Sequence, residues 1–73
     1  MTLATVSARI VAPIPFVALD GKADLIPAGP CLLEQLDERR VDVVWGQAGE
    51  DSAVLQLAEV ETAERAGKLV VLD

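Results

Sequence analysis

Apolar residues recur at every second position in several short segments of this chain, and that period limits the fold more than any other feature. The segment TVSARIV, which begins at Thr5, places Val6, Ala8 and Ile10 on one side with polar residues between them. Successive side chains of a β-strand point to opposite faces of a sheet, whereas a helix repeats about every 3.6 residues. The period therefore predicts a half-buried strand at this segment.

Two more strands are predicted on either side of the charged tetrapeptide DERR, residues 37–40. The segments CLLEQLD, which begins at Cys31, and VDVVWG are rich in β-branched and large apolar residues. In the second segment Val41, Val43 and Trp45 share one face, which we expect to line the core. The polar composition and the length of DERR suit the connection of a hairpin.

Proline and glycine divide the first half of the chain into short pieces. Pro13 and Pro15 lack the N–H that a helix interior or a central strand needs, so APIP is predicted to run extended along an edge or to bend. Asp20 and Gly21 suit the positive φ values of a tight hairpin turn between two short strands. The motif IPAGP marks a second turn, with proline early and glycine later.

The last third of the chain combines a strand, a short helix and a terminal strand. In AVLQL, residues 53–57, the apolar alternation continues through Leu57. The segment AEVETAERAG loses that rhythm. Its helix-forming residues, its early glutamates and Gly67 as a terminator predict a helix near residues 58–66, with a narrow apolar stripe of Val60 and Ala63 to which Leu57 can be added. The final segment KLVVLD is predicted to return to a strand.

Together these elements predict a mainly β protein. Five or six short strands with one late helix indicate a small antiparallel SH3-like barrel or a curled sheet, and an α+β sheet with one helix is the alternative. The 73 residues are predicted to form a single small globular domain, residues 1–73. Such a domain buries only about 60% of the surface that its unfolded chain exposes. Because 52% of the residues are hydrophobic, we expect self-association to bury part of the remainder.

The charge balance bears on the choice of partner. The chain has 12 acidic and 6 basic residues, for a formal net charge of −6. Nucleic acids and anionic membranes attract clustered Lys and Arg, so neither is expected as a direct partner, and a basic protein is favoured. The sequence shows neither the pattern of a signal peptide nor an apolar run of about 18 residues, so we expect a cytoplasmic location.

The side chains available argue against most catalysis. The chain has no histidine, the commonest general acid–base group and metal ligand. Cys31, the one cysteine, lies in an apolar segment and is interpreted as an inert core thiol. Gly46 and Gly49 have a spacing that can cradle phosphate, but Glu50 and Asp51 follow them and would repel it, which favours a plain turn. We therefore predict no enzyme activity, no cofactor and no metal site.

Six residues are candidates for contact with another protein. Trp45 ends a strand beside a loop, where it is either a core residue or an exposed anchor. Arg39 and Arg40 form the only adjacent basic pair and can meet acidic groups of a second subunit. Residues 42–64 hold six acidic residues and no Lys or Arg, which predicts an acidic flank if the loop and the helix lie together. The candidates on that flank are Glu59, Glu61 and Glu64.

Three functions of different classes are open at this point. The first is a non-catalytic protein–protein interaction module that self-associates and presents an edge strand or the Trp45 region to an unidentified protein. The second is a small acidic inhibitor that imitates nucleic acid and blocks a basic DNA- or RNA-handling protein. The third is an oligomeric enzyme whose site forms at a symmetry axis. The first is favoured because it requires nothing that the sequence lacks.

Overall fold

The computed structural model describes residues 5–18 and 20–72, which form a five-stranded sheet, a two-stranded sheet and one helix. This confirms the prediction of a mainly β protein with one late helix, although the described strands number seven rather than five or six. In chain order the elements are β1 (Thr5–Ile10), β2 (Ile14–Val17), β3 (Ala23–Ile26), β4 (Gly29–Gln35), β5 (Arg40–Trp45), β6 (Asp51–Gln56), α1 (Leu57–Arg65) and β7 (Leu69–Leu72).

The five-stranded sheet has the order β6-β5-β4-β1-β7, and all of its neighbouring strands are antiparallel. In the part of the chain that the structure describes, β2 and β3 pair only with each other, as a hairpin. The described pairings thus leave β6 and β7 as the two edges of an open sheet. Closure into the predicted SH3-like barrel is not confirmed.

The hydrophobic core lies on one face of the five-stranded sheet. The β2–β3 hairpin covers this face with Ile14 and Ile26, and α1 covers it with Val60 and Ala63. The buried sheet residues occupy every second position of their strands, which confirms the alternation predicted from the sequence. These residues are Ala8, Ile10, Cys31, Leu33, Val41, Val43, Ala53, Leu55 and Leu69.

The predicted hairpin turn occurs at Gly21, and where the second turn is predicted the chain bends at Ala28, just before Gly29. The N–H of Ala18 donates to the carbonyl of Lys22 at 2.9 Å and closes the β2–β3 hairpin. Gly21 in this turn has a φ of +83°, a conformation that costs glycine little because it has no Cβ. Gly29, in the IPAGP motif, has a φ of +141° and begins β4.

The helix begins one residue earlier than predicted, so Leu57 does not continue the preceding strand. The N–H of Leu57 donates to the carbonyl of Arg39 at 2.7 Å. The N–H of Gln56, the residue just before the helix, donates to Oε1 of Glu59 at 3.3 Å. This is one of the two hydrogen bonds of a capping box, in which the third helical residue accepts from the residue that caps the helix. These two bonds fix the change from strand to helix, which the alternation of apolar residues alone did not reveal. Gly67, with a φ of +75°, follows the helix as predicted.

Candidate interaction surface

One face of the five-stranded sheet is not covered by the helix or by the hairpin, since both pack on the core side. We call this the outer face. Four of its aliphatic side chains are strongly exposed: Leu32 (45%), Val54 (53%), Val70 (45%) and Leu72 (47%). The central residues of the outer face are Thr5, Ser7, Arg9, Pro30, Leu32, Glu34, Asp42, Val44, Ser52, Val54, Val70 and Leu72.

The strand register arranges these side chains in rows that cross the sheet. Leu32 is paired with Val44 on one side and with Ser7 on the other. Val44 is in turn paired with Ser52, and Ser7 with Leu72. These five residues form a line across all five strands, which we call the middle row. Three of its five members are aliphatic.

The row on one side of the middle row is acidic. Glu34 is paired with Thr5 and with Asp42, and Asp42 is paired with Val54. Like charges directly opposite each other destabilise a pair of strands. Among the described residues no group donates a hydrogen bond to Oδ1 of Asp42, although that atom is hidden from solvent. A cationic group that approaches this acidic row would therefore be favourable.

The row on the other side of the middle row carries one basic residue, Arg9, between Pro30 and Val70, and we call it the basic row. Arg9 is paired with Pro30 and with Val70, and its side chain is exposed. Neither of the two ion pairs found within residues 5–18 and 20–72 involves Arg9. The outer face thus carries negative charge on one side of a largely apolar row and positive charge on the other.

The residues of the outer face are absent from the sites predicted from the sequence, although a signal for them exists. Leu32 and Leu33 are adjacent apolar residues of one strand, and so are Val43 and Val44. Adjacent strand residues point to opposite faces, so each such pair places one aliphatic side chain away from the core. Consecutive apolar residues in an otherwise alternating strand are therefore the pattern that reveals this surface.

Trp45 lies at the margin of the core. Its ring meets the ring of Phe16 edge to face, with the centroids 6.2 Å apart and the planes at 71°. Val41 and Val43 are buried as predicted, whereas Trp45 is only half-buried because β5 ends there. Trp45 thus connects the end of β5 to the β2–β3 hairpin. Its use as an anchor for another protein stays a prediction.

The charged turn between β4 and β5 is organised by Asp37. Oδ1 of Asp37 accepts the N–H groups of Arg39 and Arg40, each at 2.8 Å, and Oδ2 accepts Nε–H of Arg40 at 2.8 Å. The side chain of Arg40 is therefore held within the turn. Both arginines are exposed, and their contact with a second subunit stays a prediction.

We expect Asp37→Asn to be less stable than the wild type at neutral pH and equally stable in strong acid. The N–H of Arg39 and then the side chain of Arg40 lower the pKa of Asp37. A depressed pKa contributes stability above the unfolded value of about 3.9, and that stability is lost as the pH falls through the lower folded value. Thermal unfolding of both proteins from neutral pH down to about pH 2 measures the difference.

Glu38→Gln is the matched control, because it removes an exposed carboxylate from the same turn. We expect its melting temperature to follow the wild-type curve at every pH. Identical pH profiles for the Asp37 and Glu38 variants would contradict a special role for the Asp37 hydrogen bonds.

The predicted acidic stretch does not form one continuous surface. Asp42 lies on the outer face, whereas α1 packs on the core face and exposes Glu59, Glu61 and Glu64. Oε2 of Glu61 is also 3.8 Å from Nη2 of Arg65, and this ion pair partly offsets the negative charge of Glu61. Asp42 is therefore separated from the helix glutamates, and an acidic flank at Glu59, Glu61 and Glu64 stays a prediction.

The structure leaves neither the Cys31 thiol nor the glycine-containing loop after β5 free to act as a site. Cys31 is buried, and burial raises the pKa of its thiol. In the loop after β5, Oε2 of Glu50 accepts the N–H of Ala48 at 2.9 Å. A Cβ added to Gly46 would lie 2.7 Å from Cδ of Glu50, so this carboxyl group lies directly over the glycine. The loop thus binds its own carboxylate where a phosphate would need to sit.

Within residues 5–18 and 20–72, no helix is long and apolar enough to cross a membrane. The same residues contain no group of three or more His, Cys, Asp or Glu side chains that could hold a metal ion. No family model, no curated protein and no solved structure matches this chain.

Proposed function

We propose that this chain is a non-catalytic protein–protein interaction module that binds through its outer face. The observation that carries this proposal is a group of aliphatic side chains on adjacent strands of that face: Leu32 on β4 is 45% exposed and Val54 on β6 is 53% exposed, with Val44 on β5, the strand between them. Isolated exposed aliphatic residues are common on protein surfaces. A contiguous group with charged neighbours is instead typical of an interaction site.

The physical basis is the free energy of burying this face. Each Å² of apolar surface removed from water contributes about 25 cal/mol, and one partner surface can cover side chains on several neighbouring strands together. Glu34 and Arg9 lie in the rows on either side of the middle row. They determine how a partner is oriented more than how tightly it binds, because charged pairs mainly select the partner and the register. A protein partner with an apolar centre and opposite charges at its margins fits this pattern.

Site-specific photo-crosslinking in cells that make the protein tests this proposal. A benzophenone amino acid replaces Leu32 in one variant and Val54 in another, since both side chains are exposed on the outer face. Illumination should join each variant to a protein and give an adduct of discrete mass. A covalent adduct reports contact in the cell at a defined residue.

The matched control places the same amino acid at Lys22, an exposed residue outside the five-stranded sheet. We expect no adduct of discrete mass from this position. Adducts of equal yield from Lys22 and from the outer face, or none from the outer face, would refute the proposed function.

A further inference from the structure

Resting on that proposed function, we propose that the partner of the outer face is a second copy of this chain. The two copies would pack face to face about a two-fold axis that runs along the middle row. This partner is favoured because the outer face is self-complementary: an apolar row lies between an acidic row and a basic row. A two-fold dimer uses the same patch on both subunits, so it requires such a pattern.

The direction of the axis follows from the charges. Rotation about the middle row exchanges its two sides, so the acidic row of each copy faces the basic row of the other. Rotation about an axis parallel to the strands would instead place each acidic row against its own counterpart. Like charges brought together at an interface cost several kcal/mol and select against that arrangement. Of these two axes, the charge pattern thus favours the one that runs along the middle row over the one that runs parallel to the strands.

The proposed packing brings Glu34 close to Arg9 of the second copy. The axis keeps each strand opposite its own counterpart, so Glu34 on β4 lies over Pro30 of the second copy. In the second copy, Arg9 is the strand partner of Pro30, so it lies on the adjacent strand β1, about 4.8 Å to the side of Pro30. Packed sheets are about 10 Å apart, a gap that a glutamate and an arginine side chain can bridge from its two sides. Two equivalent contacts of this kind form in each dimer.

The middle row supplies the apolar contact of the dimer. Each of its residues lies opposite its own counterpart, so Leu32 packs on Leu32 and Val44 on Val44. Ser7 and Ser52 also lie opposite their counterparts, and between sheets about 10 Å apart their short side chains leave room for a water molecule that bridges each pair of hydroxyl groups. Leu32 and Val44 therefore supply the apolar contact, and bridging water limits the cost of burying the serine hydroxyl groups.

The size of the face sets the expected affinity. Five strands about 4.8 Å apart and three rows about 7 Å apart cover roughly 24 by 20 Å in projection. This is less than the area of about 800 Å² per partner that standard interfaces bury, although protruding side chains enlarge it. Each copy also carries a net charge of −6, which opposes association until salt screens it. We therefore expect a dissociation constant in the micromolar range at physiological ionic strength.

A charge-exchange experiment tests the geometry. Sedimentation equilibrium in buffer of physiological ionic strength gives the dimer dissociation constant of the wild type, Arg9→Glu and Glu34→Arg. Each variant alone places like charges at both contacts, so its dissociation constant should rise about tenfold or more. An equimolar mixture of the two variants joins opposite charges at both contacts and should dimerise with nearly wild-type affinity. Recovery in the mixture also shows that both variants are folded.

A second pair of variants tests the apolar row. Leu32→Lys should leave the protein monomeric, because two lysines would meet at the axis. Leu25→Lys is its control. Leu25 is 55% exposed, but it belongs to the β2–β3 hairpin, which covers the opposite face of the sheet from the outer face. This variant should dimerise like the wild type.

Three outcomes would overturn this inference. They are a monomeric wild type at high micromolar concentration, a dimer that Leu32→Lys leaves intact, and a mixture of charge variants that stays dissociated. A dimer that is insensitive to Leu32→Lys would indicate pairing through an edge strand. The crosslinking experiment separates these failures from failure of the proposed function, because an adduct with a different protein would support the interaction module and refute the homodimer.

Discussion

Ile26→Ala is expected to remove a large part of the stability of this domain. Ile26 has no exposed surface, and it joins the β2–β3 hairpin to the core of the five-stranded sheet. Truncation of a buried isoleucine to alanine costs about 2–5 kcal/mol, because it loses burial and leaves a cavity. A domain of 73 residues has a total stability of roughly 4–11 kcal/mol at about 0.05–0.15 kcal/mol per residue.

Urea unfolding followed by tryptophan fluorescence measures this loss. Trp45 is the only tryptophan and contacts Phe16 of the hairpin, so its emission reports whether the hairpin is docked. Leu25→Ala is the matched control, since Leu25 precedes Ile26 in the chain but is 55% exposed. We expect it to change the free energy of unfolding by less than about 0.5 kcal/mol. Similar urea midpoints for the two variants would contradict the burial of Ile26.

Ala63→Asp is expected to release the helix from the sheet. Ala63 is 6% exposed, and with Val60 it forms the buried side of α1. An aspartate at this position would place an unpaired charge between the helix and the sheet, a change that costs about 3–5 kcal/mol when the charge stays buried. We therefore expect loss of the far-ultraviolet circular dichroism signal of the helix and a large fall in the urea midpoint.

The control for this change is Ala58→Asp in the first turn of the same helix. Ala58 is exposed, and a carboxylate near a helix N-terminus interacts favourably with the helix dipole. Its stability should therefore equal or slightly exceed that of the wild type. If both aspartate variants unfolded at the same urea concentration, the helix would not pack through Ala63. Both experiments use one fixed protein concentration, since self-association would make the apparent stability depend on it.

Much of the fold could be predicted because its strands are local and periodic. Val6, Ala8 and Ile10 lie on the core face as their spacing predicts, and Gly21 lies in the hairpin turn that the sequence indicates. The error at Leu57 has a different origin. The alternation of apolar residues extends into Leu57, but its N–H is bound by the carbonyl of Arg39 from a distant part of the chain. A hydrogen bond between residues this far apart in the chain cannot be predicted from the alternation of apolar residues within one segment.

The candidate site could be predicted only in part. The excess of apolar residues indicated that some aliphatic surface would stay uncovered, but the sequence did not identify which strand positions carry it. Trp45, Arg39 and Arg40 were selected for their residue types, and the structure places Trp45 at the core margin, Arg39 in the turn before β5 and Arg40 at the start of β5. Arg9 and Glu34 were not selected, because a single charged residue within a strand has no distinguishing local signal.

The sequence by itself determined which side chains alternate, where the turns fall and that the chain carries more apolar surface than so small a core can bury. Those properties depend on backbone geometry over a few residues, so they can be read along the chain. Only the tertiary structure decided the order of the strands, and with it the line that joins Leu32, Ser7 and Leu72. It also decided that acidic and basic rows lie on opposite sides of that line. Strand pairing brings together residues far apart in the chain, and the free energy that selects one pairing comes from burial of the whole core.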